Sequence, residues 1–466
     1  MMRFLAVPLL FLLSSAAQAE PRELKFEAFG DVAIYGTPGQ AGRVAIILAD
    51  KTVLPASRDG IGQMVAAQGG LAAVVDYDRY VEAIGRQPDA CTYNSWEFEK
   101  LSKFVQKTVG SSRYEPPVLV GLGTGAALAY TIINEAPRGT FAGLFTAGLC
   151  LPFRLPKDLC ANEGKTWSRT GKDSIGRLEP VDQATDTWVA LPSAPPESCP
   201  ASTGADFFGG IDGARILPAS KADWGDAPWQ ADVSLTIVRM RSKLSVEPVS
   251  GSDLADLPLH EQRATAPIPV ALRDTLAIIV TGDGGWAGFD RDLADSLAGA
   301  GVNVVGLNSL QYFWRQRTPD ETAQALSRII EHYTAQWQAK RVLLIGYSFG
   351  ADVLPFAARR LPEDDLRRIA GVALLAPGFK ADFEFRLGGW LGLDPNPKAL
   401  AILPEIMAMP RIPTLCAYGA EEAESAETSC PAVPASRAKA FETKGGHHFD
   451  GNFVAMANAI LGLLLP

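Results

Sequence analysis

Residues 341–351 read RVLLIGYSFGA, an apolar run that ends in a serine flanked by glycines. The apolar residues 342–345 are typical of a buried strand, and helix-forming residues follow Gly350. A G-x-S-x-G motif between a strand and a helix predicts a strained turn that lifts its serine above the edge of a sheet. The start of the helix favours negative charge that develops beside it. We therefore predict that Ser348 is a nucleophile.

A similar stretch, VLVGLGTG, occupies residues 118–125 in the first half of the chain. It precedes the serine motif by about 225 residues, and three more apolar segments recur in the same order at similar offsets: 44–48 with 276–280, 70–75 with 301–305, and 142–147 with 370–375. A shared order of this kind indicates an internal repeat. Each half also alternates strand-like with helical segments, which predicts βαβ units.

The repeat predicts an α/β fold of two tandem α/β-hydrolase-like domains. Each would be a mostly parallel sheet flanked by helices, and the first would be degenerate. Gly123 stands where the second half has Ser348, and no histidine precedes His260. We predict four parts: a signal peptide (1–19), a degenerate N-terminal domain (20–249), a linker (250–269) and a catalytic domain (270–466). Residues 162–213, rich in Ser, Pro, Thr and Gly, are interpreted as an insertion in the first domain.

A serine nucleophile needs a base, and the chain contains only four histidines. Two of them lie in the sequence GGHHF, residues 445–449, which follows the serine in chain order as this fold requires. We predict that His447 is the base because it directly follows the glycine pair. His448 is the alternative.

The base needs an acid that orients it and stabilises its charged form. Residues 412–418 are predicted to form a strand, and the sequence GAEE follows at residues 419–422. An acid just past this strand would lie between the serine and the histidine in chain order. We predict Glu422 for this role, with Glu421 as the alternative.

Backbone N–H groups that stabilise an oxyanion are expected at two places. One is the N–H of Phe349, directly after the nucleophile. The other belongs to the loop TGDGGW, residues 281–286, after an early strand, where we predict Gly285 and Trp286.

The sequence SLQYFWR, residues 309–315, follows another predicted strand and should face the same edge of the sheet. Aromatic rings beside arginines suit a boundary between lipid and water. We therefore predict that Tyr312 and Trp314 contact substrate.

Composition and the first residues indicate an exported protein. The formal net charge is −9, which argues against nucleic acid as the main partner. Residues 1–19 contain one arginine, an apolar core and a terminal AQA, the pattern of a cleaved secretory signal. The six cysteines then suggest disulfides, and we expect Cys416 to pair with Cys430. The other four allow three pairings. No metal site is expected, because no CxxC or paired Cys/His spacing occurs, and no cofactor is expected.

Four motifs of the second half together resemble the VirJ/AcvB family of bacterial virulence proteins. They are TGDGGW (281–286), SLQYFW (309–314), GYSFGAD (346–352) and GHHFD (446–450). The added N-terminal half makes the chain similar to the longer, AcvB-like form. The resemblance implies an α/β-hydrolase fold, a periplasmic location, hydrolysis of lysyl-phosphatidylglycerol to lysine and phosphatidylglycerol, and a link to virulence and type IV secretion.

A lysyl ester substrate carries two ammonium groups, which acidic side chains would hold. Asp283 and Asp352 flank the predicted oxyanion loop and nucleophile, so we predict that they bind the lysyl group. The expected partners are an aminoacylated phospholipid at the membrane surface and components of a secretion system. Two other readings of the sequence remain open: a general exported esterase or lipase, and a non-enzymatic periplasmic accessory or chaperone protein for secretion.

Overall fold

The computed structural model describes residues 21–36, 43–51, 53, 55–160, 166–168, 175–191, 205–218, 227–240, 254–390 and 396–464. The predicted signal peptide, residues 1–19, and Cys199 lie outside these ranges.

The strands of the first half include eight that form one large sheet and several short ones. They are β1 (Arg22–Phe26), β2 (Gly30–Tyr35), β3 (Val44–Ala49), β4 (Leu71–Asp76), β5 (Cys91–Thr92), β6 (Val118–Leu122), β7 (Gly143–Ala147), β8 (Pro152–Arg154), β9 (Asp158–Leu159), β10 (Trp167–Ser168), β11 (Ile175–Leu178), β12 (Gln183–Leu191) and β13 (Asp212–Ile216). The α-helices of this half are α1 (Pro55–Ala67), α2 (Tyr77–Arg86), α3 (Asn94–Thr108), α4 (Thr124–Glu135), α5 (Ala205–Gly209) and α6 (Ala227–Arg239).

The second half repeats this alternation. Its strands are β14 (Leu259–Gln262), β15 (Thr275–Val280), β16 (Asn303–Leu307), β17 (Arg341–Tyr347), β18 (Ile369–Leu375), β19 (Lys380–Ala381), β20 (Leu400–Ala401), β21 (Thr414–Gly419) and β22 (Lys439–Thr443). Its helices are α7 (Phe289–Gly299), α8 (Ser309–Tyr312), α9 (Pro319–Gln336), α10 (Phe349–Ala358), α11 (Glu363–Leu366), α12 (Leu387–Trp390), α13 (Ile402–Ala408), α14 (Ala420–Glu424) and α15 (Phe453–Leu461). Short 3-10 helices occur at Glu27–Phe29, Val270–Leu272, Cys430–Ala432 and Gly462–Leu464.

The two large sheets share one strand order, except that the first has the additional edge strand β1. The first runs β1-β2-β4-β3-β6-β7-β12-β13, and the second runs β14-β16-β15-β17-β18-β21-β22. Neighbours are antiparallel only at β1/β2, β2/β4 and β14/β16, and the other pairs of these two sheets are parallel. The four recurring apolar segments are the pairs β3/β15, β4/β16, β6/β17 and β7/β18. The predicted fold class, two mostly parallel α/β sheets, is therefore confirmed.

Parallel strands of this kind are apolar throughout because helices cover both faces. Every residue of β15 is buried. Its Ile278 joins the core beneath α9, α10 and α13, whereas its Ile279 joins the core beneath α7 and α15. The alternation of side chains along the strand thus builds two cores, one on each face of the sheet.

Two boundaries differ from the sequence-based prediction. The expected linker, residues 250–269, contains β14, which pairs with β16 and is the edge strand of the second sheet. The expected insertion, residues 162–213, contains β12 and the start of β13, and these strands extend the first sheet beyond β7. The prediction was misled by polar composition, because β13 and β14 lie at the edges of their sheets and are mostly polar.

The disulfide described in the first half joins cysteines 69 residues apart, and the disulfide in the second half joins cysteines 14 residues apart. Cys416 is bonded to Cys430, as predicted, and Cys91 is bonded to Cys160. Cys150 is also disulfide-bonded. The bridge between Cys416 and Cys430 closes a loop of about 15 residues, a size worth roughly 3 kcal/mol in the chain-entropy model. This loop contains α14 and therefore the predicted acid.

None of the helices in the described ranges has the length and apolar character needed to cross a bilayer.

We expect the stability of the second domain to depend on pH through the protonation of His260. The ring lies on the edge strand β14 and stacks on Trp286 with 5.2 Å between centroids. Burial, with a smaller contribution from Arg291, lowers the pKa of His260 to about 4. In the unfolded chain the ring takes up its proton near the ordinary value of 6.5. Stability from this group is therefore complete above about pH 6.5 and lost as the pH falls toward 4.

We expect the wild type to lose about 2–3 kcal/mol of unfolding free energy from this group between pH 7 and pH 4. A His260→Phe variant, which retains a ring to stack on Trp286, should lose less stability over the same interval. Urea denaturation at pH 7, 5.5 and 4 measures the difference. Parallel pH profiles for the two proteins would contradict the assignment.

Candidate active site

Ser348 lies between β17 and α10 with φ 50° and ψ −117°, a backbone conformation that costs energy for a side-chain-bearing residue. Its N–H donates to the Leu375 carbonyl (2.8 Å), which ties the turn to β18. A Cβ at Gly350 would lie 1.9 Å from the Val280 carbonyl oxygen, so only glycine permits this approach. The glycines of the motif therefore hold the serine in its strained turn at the carboxyl end of the sheet.

His447 reaches this serine from the loop between β22 and α15. Its Nε2 lies 2.8 Å from Ser348 Oγ, and its Nδ1 lies 2.6 Å from Glu422 Oε1. The His447 side chain is 44% exposed, whereas that of Glu422 is 2% exposed. The structure thus brings together the three residues predicted for the nucleophile, the base and the acid. A hydroxyl, an imidazole and a carboxylate in this order can activate a serine for acyl transfer.

The carboxylate of Glu422 is held by a backbone contact in addition to its contact with His447. Its Oε2 accepts a hydrogen bond from the Gly419 N–H (3.1 Å) at the start of α14. Burial acts to raise the pKa of Glu422, but the hydrogen bonds from His447 and the Gly419 N–H outweigh it and leave that pKa below its usual value. The carboxyl is therefore held ionised beside the imidazole.

The histidine loop and the acid loop meet backbone to backbone. A Cβ at Gly419 would lie 2.3 Å from the Gly446 carbonyl oxygen, so a glycine is needed there for the loops to approach. The Glu421 N–H donates to the Gly445 carbonyl (3.0 Å). These contacts place Glu422, and not Glu421, against His447.

The alternative base has a different partner. His448 Nδ1 lies 2.9 Å from the Tyr347 hydroxyl oxygen. Burial lowers the pKa of His448, and His447 lowers it further. His448 therefore packs beside the site, on the residue that precedes the nucleophile. Sequence reasoning did not identify Tyr347, because a tyrosine at the second position of G-x-S-x-G carries no signal of its own.

The loop at residues 281–286 approaches the serine through a different part than predicted. A Cβ at Gly282 would lie 3.6 Å from Ser348 Cβ. The Gly285 N–H donates to the Gly282 carbonyl (3.1 Å), so this predicted oxyanion donor is already engaged. The backbone that approaches the nucleophile is that of Gly282, whose own N–H donates to Asp290 Oδ2 (3.2 Å). The prediction for Gly285 is therefore corrected.

The other two predicted donors stay predictions. Phe349 is the first residue of α10, where N–H groups have no acceptor within the helix. The Trp286 ring packs against Gly306 and stacks on His260, which fixes the end of the loop. These ring contacts do not involve the backbone N–H of Trp286.

Two acids predicted to bind substrate lie near the site. Asp283 is half-buried in the loop, and Asp352 is on the first turn of α10. Asp352 Oδ1 accepts a hydrogen bond from the Gly378 N–H (2.7 Å). Burial raises the pKa of Asp352 well above its usual value, and the nearby Asp283 raises it further.

A third acid, Asp290, was missed by sequence reasoning. Its Oδ2 accepts a hydrogen bond from the Gly282 N–H (3.2 Å), and burial raises its pKa well above the usual value. The available signal was an acid in the first turn of a helix directly after a glycine-rich loop.

The two aromatic residues predicted to contact substrate do not line the site. Tyr312 is 4% exposed, and its hydroxyl donates to the Glu321 carbonyl (3.1 Å). Trp314 is 2% exposed, and its Nε1 donates to the Ser111 carbonyl (2.9 Å) in the first half of the chain. We therefore correct this prediction: both rings are packing residues. The sequence contained no indication that another domain covers this segment.

The first domain retains the backbone turn of the serine motif, but it has Gly123 in place of the serine. Gly123 has φ 61° and ψ −128°, close to the angles of Ser348. The N–H of Thr124, which corresponds to that of Phe349, donates to Asp50 Oδ2 (2.7 Å). The N–H that corresponds to the predicted donor of Phe349 is thus engaged by a carboxylate of the chain itself. The predicted degeneracy of this half has a structural counterpart.

Within the described residues, no three His, Cys, Asp or Glu side chains come together in a way that could hold a metal ion.

The comparison with protein families gives a match to the second half of the chain. Residues 274–465 match the family model described as bacterial virulence protein (VirJ). No curated protein matches the chain.

Solved structures similar to the chain include several with hydrolase names. Est1E from Butyrivibrio proteoclasticus with bound ferulic acid has 13% identity and a TM-score of 0.31, over 45% of this chain and 94% of that one. MenH from S. aureus has 14% identity and a TM-score of 0.31, over 44% and 97%. XC6422 from Xanthomonas campestris, described as an a/b serine hydrolase without lid, has 15% identity and a TM-score of 0.29, over 44% and 87%.

At these identities the likeness to solved structures carries no information on substrate. The topology of the second sheet, the turn at Ser348 and the family match agree with the resemblance found in the sequence. Residues 274–465 of this chain are therefore similar to the VirJ family of bacterial virulence proteins, and they form a mostly parallel sheet flanked by helices.

Proposed function

We propose that this protein is a periplasmic serine hydrolase that cleaves the aminoacyl ester of lysyl-phosphatidylglycerol and releases lysine and phosphatidylglycerol. One observation carries the reaction class: Ser348 Oγ, His447 and Glu422 form a continuous chain of contacts of 2.8 and 2.6 Å. The family match to VirJ supports a role related to virulence. The substrate rests on the resemblance of the sequence motifs to the VirJ/AcvB family.

The reaction proceeds as an acyl transfer in two stages. His447 removes the proton from Ser348 Oγ, which attacks the lysyl carbonyl carbon. The resulting oxyanion is stabilised by the N–H of Phe349 and by the N–H of Asp283, since the N–H of Gly282 donates to Asp290. His447 then gives its proton to the leaving oxygen of phosphatidylglycerol, and a lysyl ester forms on Ser348.

Water completes the reaction in the second stage. His447 takes a proton from the water, which attacks the lysyl-serine ester, and then returns a proton to Ser348 Oγ as lysine leaves. Throughout, Glu422 orients the imidazole and stabilises its charged form. The contact between Ser348 and His447 is open to solvent, which supports a site that admits substrate from outside the protein.

The acids beside the site support the choice of a cationic acyl group. Burial, together with repulsion from Asp283, disfavours the charged forms of Asp352 and Asp290. An ammonium group bound nearby would offset that repulsion and favour the carboxylates. We assign Asp283 and Asp352 to the lysyl group on this basis.

The test is release of lysine from lysyl-phosphatidylglycerol in mixed micelles by the wild type and by a Ser348→Ala variant. Alanyl-phosphatidylglycerol and a short-chain p-nitrophenyl ester serve as comparison substrates. We expect release by the wild type alone, with preference for the lysyl lipid. Hydrolysis of the p-nitrophenyl ester without lysine release would instead favour a general esterase. Equal behaviour of folded wild type and Ser348→Ala on all three substrates would refute the hydrolase and favour an accessory role in secretion.

A further inference from the structure

The first domain lies against the active-site edge of the second. Helix α3 and the segment after it contact the loops that follow β15, β16 and β18. Two of these strands, β15 and β18, flank β17, whose carboxyl end carries Ser348. Docking at this edge, and not at the opposite one, places the first domain next to the reacting serine.

Lys103 of α3 contacts the proposed oxyanion backbone. Its side chain is 1% exposed, and its Nζ pairs with Glu99 of the same helix (2.7 Å). The same Nζ donates to the carbonyl oxygen of Asp283 (3.5 Å) and lies 5.4 Å from the centroid of the Phe385 ring. Burial of an ammonium group costs free energy unless the group is paired and hydrogen-bonded. The contacts with Glu99 and the Asp283 carbonyl provide such partners for Lys103.

A second lysine and an aromatic cluster fix the same interface. Lys107 Nζ donates to the Trp314 carbonyl and pairs with Glu384 (3.2 Å). The Trp314 ring lies 5.3 Å from that of Tyr114 and stacks on that of Phe385 at 5.5 Å. Tyr114 belongs to the first half of the chain, so this buried cluster joins the two domains. The domains are thus held in one geometry around the contact of Lys103.

The contact of Lys103 lies in the middle of the loop at residues 281–286. The start of this loop is anchored within the second domain, where Thr281 Oγ1 accepts the N–H of Ser309 (2.8 Å) and Asp290 accepts that of Gly282. Gly284 is exposed, and a Cβ there would meet nothing within 4 Å. The peptide at Asp283 therefore lies between an anchored start and an open glycine.

We propose that the first domain is a positioning element of the active site, in which Lys103 holds the Asp283 carbonyl and so fixes the backbone that stabilises the oxyanion. Lys103 is a positioning residue, because it acts through the Asp283 carbonyl and not on the reacting atoms. The proposal rests on the proposed function for its catalytic consequence, whereas the fixing of the loop is independent of it. It also gives the degenerate domain a role that requires no chemistry of its own.

The test compares Lys103→Met with Lys100→Met in the full-length protein. Lys100 lies on the same helix and pairs with Glu27 and Glu97, both in the first half of the chain. A third variant, Lys103→Met with Glu99→Gln, removes both charges of the pair so that neither is left buried alone. Amide hydrogen exchange of the 281–286 segment and steady-state hydrolysis are measured on all three.

We expect exchange in this segment to become about tenfold faster in both Lys103 variants and to stay at the wild-type rate in Lys100→Met. We also expect kcat to fall about tenfold or more with KM changed less than about twofold, because donors to an oxyanion act on the transition state. Unchanged exchange would overturn the proposal whatever the activity. Faster exchange with unchanged kcat would overturn its catalytic part. If Ser348→Ala is as active as the wild type, the proposed function fails, and exchange still decides whether Lys103 fixes the loop.

Discussion

Replacing His447 by glutamine is expected to reduce kcat/KM for ester hydrolysis by about 10⁴–10⁶-fold, because the hydroxyl of Ser348 then has no base. His448→Gln is expected to stay within about tenfold of the wild type. The physical reason is the difference in partners: His447 lies between Ser348 and Glu422, whereas His448 contacts the Tyr347 hydroxyl. Steady-state kinetics on one ester substrate measures both variants.

The two histidines form a matched pair because they are adjacent in the same loop and are replaced by the same residue. Circular dichroism and the thermal midpoint establish that both variants are folded. The tautomer of His448 sets whether it donates or accepts toward Tyr347, so a modest change in KM for His448→Gln is compatible with the assignment. An equal loss of activity in the two variants would contradict it.

The sequence allowed the architecture of the site to be predicted because its determinants are local. A buried strand, a glycine-flanked serine and a helix are neighbours in the chain, and their geometry depends on backbone sterics alone. The order serine, acid, histidine is likewise a property of the connectivity. The alternatives at the base and the acid required the structure, because neighbouring residues in a loop differ only in the direction of their side chains.

The failures of the prediction arise from contacts over long distances in the chain. Trp314 is covered by Ser111 and Tyr114, about 200 residues earlier, so its aromatic character indicated an interface and not a lipid surface. The Gly285 N–H is engaged by a turn within its own loop, which a run of glycines does not specify. The edge strand β14 was hidden because a polar strand at a sheet edge has the composition of a linker.

Glu422→Gln is expected to reduce kcat by about 10³–10⁴-fold, since an amide holds the imidazole in the wrong tautomer and does not stabilise its charged form. Glu421→Gln is the matched control and is expected to change kcat less than about threefold, because Glu421 is exposed and reaches this region through its backbone N–H to Gly445. Both substitutions are isosteric and lie on α14. The measurement is kcat at the pH optimum of the wild type.

The lowered pKa of Glu422 permits a second test, in which stability is measured against pH. This test distinguishes the role of Glu422 from a general defect in folding. Because that pKa is lowered in the folded protein, its stabilising contribution is complete above the unfolded value and is lost as the pH falls through the folded one. Acidification toward pH 4 and below should therefore destabilise the wild type more steeply than Glu422→Gln, whose side chain does not titrate. Glu421→Gln should retain the wild-type steepness. If instead Glu421→Gln lost both activity and steepness while Glu422→Gln retained them, the acid of the site would be Glu421, and the contact at His447 Nδ1 would have no catalytic role.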